Sequence, residues 1–219
     1  MVTSNDITVL STPNPLLWKN TEWRQYTSID PAFKNIGLRI ERRWYNSETN
    51  KCNKIQMVHF ERINIVDESI PLVKKLQETL DGLHEKFKES HFFLIERQQP
   101  ISARGQVHTN SKVMRVFGHI CAYFMTRYGG DGIHPLICEV NPKLKGKILE
   151  FPPDLTYAQT KSMGVKIGTQ ILTNAGDLMG LAVIKAAGSK KDDLTDTVCQ
   201  IEAFERCFYD FNNNKIKGT

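Results

Sequence analysis

Apolar and polar residues alternate along successive stretches of the first third of the chain, then give way to helical spacing. That change of period organises the sequence. Residues 23–30 read as extended chain ending at Asp30-Pro31, a turn signal. Residues 35–43 (N-I-G-L-R-I-E-R-R) alternate as a half-buried strand does. Residues 54–64 alternate again, with Ile55, Met57 and Ile63 as apolar marks, after a polar turn at 47–53. Three antiparallel strands in a row are predicted. From Asp67 the period becomes helical: Pro71 sits near the start, and Ile70, Val73, Leu76, Leu80, Leu83 and Phe87 recur at helix spacing. The nearly all-apolar H-F-F-L-I at 91–95 suits a buried central strand with a parallel neighbour. Residues 98–106 read as loop, 111–128 as a strongly apolar helix closed by Gly129-Gly130, and 135–140 as another short buried strand. Helices are predicted over 156–174, 177–187 and 192–209.

The order β-β-β-α-β-α-β-α implies an α/β protein: a mixed five-stranded sheet with helices on its faces. Residues 1–22 show little periodicity and read as a loose N-terminal extension. Residues 23–212 form one domain, and 213–219 a polar tail. A length of 219 residues accommodates one sizeable core, whereas two domains would be cramped. No apolar run reaches the ~18 residues that span a bilayer, and the N-terminus has neither signal-peptide nor transit-peptide character, so no membrane partner and an intracellular location are expected. Cys52, Cys121, Cys138, Cys199 and Cys207 are an odd, widely spaced set without a C-x-x-C pair, which argues for reduced thiols and against a disulfide framework. The histidines lack ligand spacing too, so zinc is not expected.

Net charge is +5, and its distribution matters more than its size. Eight lysines, among them Lys143, Lys145, Lys147, Lys190 and Lys191, fall between Asn141 and Lys191 against three acids. The rest of the chain is neutral overall. A basic stretch on a neutral body suits a polyanion on one face, although a solvated helical face would look the same.

Acidic residues stand at the ends of three predicted elements. Asp30 closes the first strand, and Glu96 follows F-F-L-I. Asp193 and Asp196 share a face in the first turn of the last helix, and Asp192, four residues before Asp196, is an alternative to Asp193. If the first and fourth strands are neighbours, Asp30 and Glu96 project from one edge, and a helix laid across it brings the other two. Gathered carboxylates repel one another, and their natural use is to hold Mg²⁺, with Mn²⁺ able to substitute. Two such ions suit phosphodiester hydrolysis. Lys190 and Lys191 precede the acidic pair and are placed to meet a phosphate.

These segments resemble the motifs of the RuvC-type Holliday-junction resolvases of the RNase H-like superfamily. Y-T-S-I-D-P-A-F-K-N-I-G-L-R-I (26–40) looks like their first-strand motif, with Ala32 where glycine is usual. F-L-I-E-R-Q-Q (93–99) resembles the second, and K-K-D-D-L-T-D-T (190–197) their C-terminal D-x-x-D helix. The double lysine and the basic loop V-N-P-K-L-K-G-K (140–147) are similar to the branch found in poxviruses and other large DNA viruses. The resemblance spans roughly residues 24–210.

It implies an RNase H-like fold and a Mg²⁺-dependent endonuclease with two ions per site. Asp30, Glu96, Asp193 and Asp196 would be the catalytic, metal-binding acids. Lys143, Lys145, Lys147, Lys190, Lys191, Gln98 and Gln99 would contact DNA. The partner would be a four-way junction, nicked on two opposed strands by a homodimer at viral DNA replication sites. The loop after Glu96 has two glutamines and no aromatic, so the residue that wedges the junction open stays unassigned. A nuclease acting on RNA–DNA hybrids, or a non-catalytic junction-binding protein, are the competing readings. The apolar arc of helix 111–128 is wider than one sheet face needs, and so offers surface for a dimer.

Overall fold

A computed structural model describes residues 6–11, 21–46, 48–49, 51–98, 107–129 and 135–216. Strands β2 (Trp23–Asp30), β3 (Asn35–Tyr45) and β4 (Cys52–Asn64) form the antiparallel meander that the alternation predicts. Strands β5 (Phe92–Glu96) and β6 (Leu136–Val140) continue the sheet in parallel from β2. A short strand β1 (Ile7–Val9) closes the other edge, antiparallel to β6, giving the order β1-β6-β5-β2-β3-β4.

The sheet therefore has six strands where five are predicted, and the sixth comes from the segment read as a loose extension. Three residues are too few to show a period, so only pairing reveals the strand. It is well anchored. Leu10 N–H donates to the Ile137 carbonyl at 2.8 Å, Asn141 N–H to that of Asp6 at 2.9 Å, and Ser11 Oγ to that of Pro135 at 3.0 Å.

Side chains of β5 leave on alternate faces and seed two cores. Phe93 and Ile95 join Ile29, Leu38, Ile40 and Ile137 beneath α1 (Leu72–Gly82), the single turn α2 (His84–Phe87) and α3 (Val107–Tyr128). Phe92 and Leu94 face the other way, onto Tyr26, Leu136, Cys138 and Val140. That face is covered by α4 (Lys143–Ile148), α5 (Tyr157–Asn174) and α7 (Lys191–Ile216), with α6 (Leu178–Ala186) over β4. α7 runs on through residues 213–216, the start of the segment read as a tail. Among the described residues no helix is long and apolar enough to cross a membrane.

Two expectations change once the helices are in place. The polar positions of β3 do not face water: Arg39, Glu41 and Arg43 are each at most 2% exposed, because α5–α7 cover them. They survive burial as an ionic network. Arg39 pairs with Glu41 and, at 2.7 Å, with Asp177; Arg43 pairs with Glu41 at 2.6 Å, with Glu202 at 2.8 Å and with Glu205. The apolar arc of α3 is also consumed internally. Val116, Phe117, Ile120 and Phe124 are buried, and Met114, Cys121, Met125 and Tyr128 pack around the same core. Its outward face carries Lys112, Arg115, His119 and Arg127, while Val113, Met114, Cys121 and Met125 stay half-buried along its flank.

Candidate active site

Parallel pairing of β2 with β5, in which Ile29 stands opposite Ile95, puts Asp30 and Glu96 side by side at the carboxyl ends of adjacent strands. Both follow the parity of Tyr26 and Leu94, so both project towards the α7 layer. α7 crosses that edge, and its first turns bring Asp193 and Asp196. The four carboxylates line one cleft of about 990 Å³, together with Gln98, Lys143, Lys145, Lys147 and Lys161.

Glycines let α7 come close. Gly37, paired with Asp30 across β2 and β3, has no Cβ; one placed there would stand 2.3 Å from the Asp193 carbonyl oxygen. Gly164 and Gly168 of α5 face α7 in the same way, towards Asp196 Oδ1 and the Thr195 side chain. The G-x-x-x-G spacing of the latter pair is visible in the sequence and is the signal that sequence reasoning passed over.

The predicted DNA-contact residues divide. Lys143, Lys190 and Lys191 are exposed and form no ion pair among the described residues. Lys147 is committed to Asp6 at 2.9 Å. Lys145 is a correction: its segment, predicted as loop, is helix α4, seated by buried Leu144, and this turns the Lys145 side chain into the acids. Its ammonium lies 2.8 Å from Glu96 Oε2 and 2.9 Å from Asp196 Oδ1 and is 12% exposed, so it is paired with carboxylates and not free like Lys143. Gln98 lines the cleft and donates to the Glu96 carbonyl at 3.4 Å. Gln99 lies outside the described residues.

Burial holds the Asp30 carboxyl well above the usual carboxylate range, with Glu96, Asp196 and Asp193 adding repulsion and Lys145 opposing it. Burial and neighbouring Asp192 raise Asp193. Asp192 goes the opposite way: burial would raise it, but the ion pair with Lys161 holds it low. Asp192 is paired with Lys161, whereas Asp193 lines the cleft with Asp30, Glu96 and Asp196. Burial would lower the Lys145 ammonium, but Glu96 and Asp196 raise it well above its ordinary value.

A concentrated negative site with an ammonium already inside it suits a hard cation held by oxygen donors. Among the described residues no three His, Cys, Asp or Glu side chains form a ready ligand set, and Lys145 stands between Glu96 and Asp196. The donor chemistry fits Mg²⁺ or Mn²⁺, and excludes the sulfur and imidazole sets that zinc prefers.

No family model matches the chain. A curated relative, uncharacterized protein 97L of Invertebrate iridescent virus 3, is 29% identical over 139 residues, 63% of this chain. The chain spans 59% of that relative's length. Solved structures give a wider likeness. The yeast mitochondrial Holliday junction resolvase superposes with a TM-score of 0.55 at 15% identity, over 87% of this chain and 84% of that one. The fowlpox virus resolvase with substrate Holliday junction DNA gives 0.53 at 14% identity, over 84% and 98%. T. thermophilus RuvC with its Holliday junction substrate gives 0.52 at 14% identity, over 84% and 96%. This chain has the fold of the RuvC-type Holliday-junction resolvases.

Proposed function

We propose that the protein is a structure-specific DNA endonuclease that resolves four-way junctions with divalent metal ions. The observation that carries this is the convergence of Asp30, Glu96, Asp193 and Asp196, from three elements, on one cleft at a sheet edge. The likeness to resolvases solved with junction DNA supports the substrate class.

Asp30, Glu96, Asp193 and Asp196 would hold Mg²⁺, or Mn²⁺ in its place, as a pair of ions. Bound there, such ions supply an activated water and charge stabilisation at a phosphodiester. The chain's own residues do the rest. Gly37, Gly164 and Gly168 fix the depth of α7 and hence the spacing of the acids. Exposed Lys143, Lys190 and Lys191 meet backbone phosphates, a contact that weakens with salt. A domain of this kind offers one site, and a junction needs two opposed nicks, so the working unit in this reading is a two-fold dimer. In this reading the protein works at viral DNA replication sites, and the likeness to a protein of an iridescent virus agrees with a viral setting.

The test is cleavage of labelled four-way junction, linear duplex and RNA–DNA hybrid by wild type and Asp196→Asn with Mg²⁺ and with EDTA. Paired nicks in the junction alone, abolished by EDTA and by Asp196→Asn while junction binding persists, are expected. Preferred hybrid cleavage would reassign the substrate. Full activity in EDTA or in the variant would overturn the proposal.

A further inference from the structure

The cleft is larger than its chemistry has so far required. Besides carboxylates and lysines, it is lined by an apolar stretch, Phe151, Pro152, Pro153, Leu155 and Tyr157, interrupted by Asp154. Its volume of about 990 Å³ sits at the upper end of the ~300–1,000 Å³ typical of small-ligand sites. A cleft that combines charged groups with apolar and aromatic surface matches a nucleotide, whose phosphate and base make opposite demands.

Tyr157 is the distinctive member of the apolar stretch. It opens α5, and its backbone is fixed by a capping box: Thr156 Oγ1 accepts from Gln159 N–H at 3.3 Å, and Gln159 Oε1 accepts from Thr156 N–H at 2.8 Å. A rigidly mounted residue nevertheless leaves its ring 75% exposed. An isolated exposed apolar residue means little. This one stands at the rim of a cleft lined by four acids, and it is organised from its own helix. Lys161, one turn on, lies 5.3 Å from the ring centroid and is itself held by Asp192 of α7. Ring, ammonium and carboxylate tie the apolar stretch to the acidic helix. Asp154 adds negative charge to this stretch, which disfavours a second phosphate there and leaves it to the base.

Building on the resolvase reading, we infer that Tyr157 is a stacking platform for one unpaired DNA base beside the phosphate to be cut. The physical reason is access. Bases inside a duplex are already stacked on both faces, so a single aromatic cannot reach one without unstacking it. A branch point provides nucleotides whose partners are lost, and an exposed π-face binds any of the four by stacking. Tyr157 thereby selects for opened structure and not for sequence. Lys161, held by Asp192, packs its ammonium against the ring. The glutamines following Glu96 belong to another segment, so this platform is independent of whatever that loop contributes.

Binding in EDTA, measured by fluorescence anisotropy, separates the possibilities. The probes are a four-way junction with one unpaired thymidine at the exchange point, a fully paired four-way junction and linear duplex. Tyr157→Ala should bind the first probe roughly 5- to 150-fold more weakly than wild type, the range for loss of one stacked base. Tyr157→Phe should stay within about twofold of wild type, because the ring face is retained. Duplex affinity and the slope of log affinity against log salt should not change in Tyr157→Ala, whereas Lys143→Gln should flatten that slope. An unchanged melting temperature confirms that Tyr157→Ala folds. Junction binding by Tyr157→Ala equal to wild type overturns the platform while leaving the resolvase reading intact. An equal loss on duplex overturns it too. A wild-type protein that binds the junctions no better than duplex instead refutes the resolvase reading, and the platform with it.

Discussion

Replacing Lys145 by Met tests the electrostatics of the site directly, because it removes the ammonium and keeps most of the side-chain volume. That ammonium sits 2.8 Å from Glu96 Oε2 and 2.9 Å from Asp196 Oδ1. At an effective dielectric constant near 20, each contact is worth about 6 kcal/mol of gross Coulomb energy. Desolvating the ammonium takes back several kcal/mol of this, and removing one partner of a buried pair typically costs ~3–5 kcal/mol net. Against a whole-domain stability of ~5–15 kcal/mol, that is a large fraction. At 2–4 °C per kcal/mol for a domain of this size, the metal-free variant should melt roughly 6–20 °C below wild type.

A divalent cation supplies the missing positive charge, so the deficit should close as the ion is added. Mn²⁺ at 100 times its dissociation constant contributes about 2.7 kcal/mol. It should contribute more stability at a given concentration to Lys145→Met than to wild type, where it must first displace Lys145. The assay is urea unfolding of both proteins in EDTA and across a Mn²⁺ series, with direct Mn²⁺ titration as an independent readout. Equal stability in EDTA, or weaker Mn²⁺ binding by Lys145→Met, would refute the view that Lys145 is the site's own counter-ion.

Gly37→Ala puts a methyl group into the Asp193 carbonyl and should force α7 outward, costing about 1–3 kcal/mol. Its cleavage rate should fall at least about tenfold while junction binding persists, since the acids lose their spacing and the lysines do not; single-turnover cleavage beside anisotropy checks this. Partly buried His91 accepts from Gln25 N–H at 3.1 Å and lies edge-on to Trp23, with Arg24 and Arg42 nearby; burial first, then those two cations, lower its pKa to about 4. The neutral ring's advantage is therefore complete above the ordinary value near 6.5 and is lost as pH falls towards 4. Discounted for the exposed part of the ring, it amounts to roughly 1–2 kcal/mol. His91→Asn, which keeps an acceptor but does not titrate, should flatten stability over that window in urea unfolding; an unchanged pH profile would remove His91 from the account.

Much of the fold was legible because local sequence and tertiary burial agree over most of the chain. The alternation in 35–43 and 54–64 marks strands, and the all-apolar F-F-L-I marks a strand covered on both faces. The acids at 30, 96, 193 and 196 stood out because each falls at an element's end, and parallel pairing of β2 with β5 then brings the first two together. Periodicity reports only how often a side chain is buried, however, not what buries it. Arg39, Glu41 and Arg43 alternate as a solvent-facing series would, yet they lie under three helices, since ion pairing lets charged residues occupy a core position. β1 is too short to have a period and exists through pairing with β6. Lys145 looks in sequence like any member of a basic run. Only the seating of α4 through Leu144 turns it among the carboxylates, and the same seating leaves Lys143 in solvent. Sequence determined which residues carry charge and which strands carry the acids. The packing of α4, α5 and α7 decided which charges meet, because the direction a side chain takes from a helix depends on what that helix is packed against.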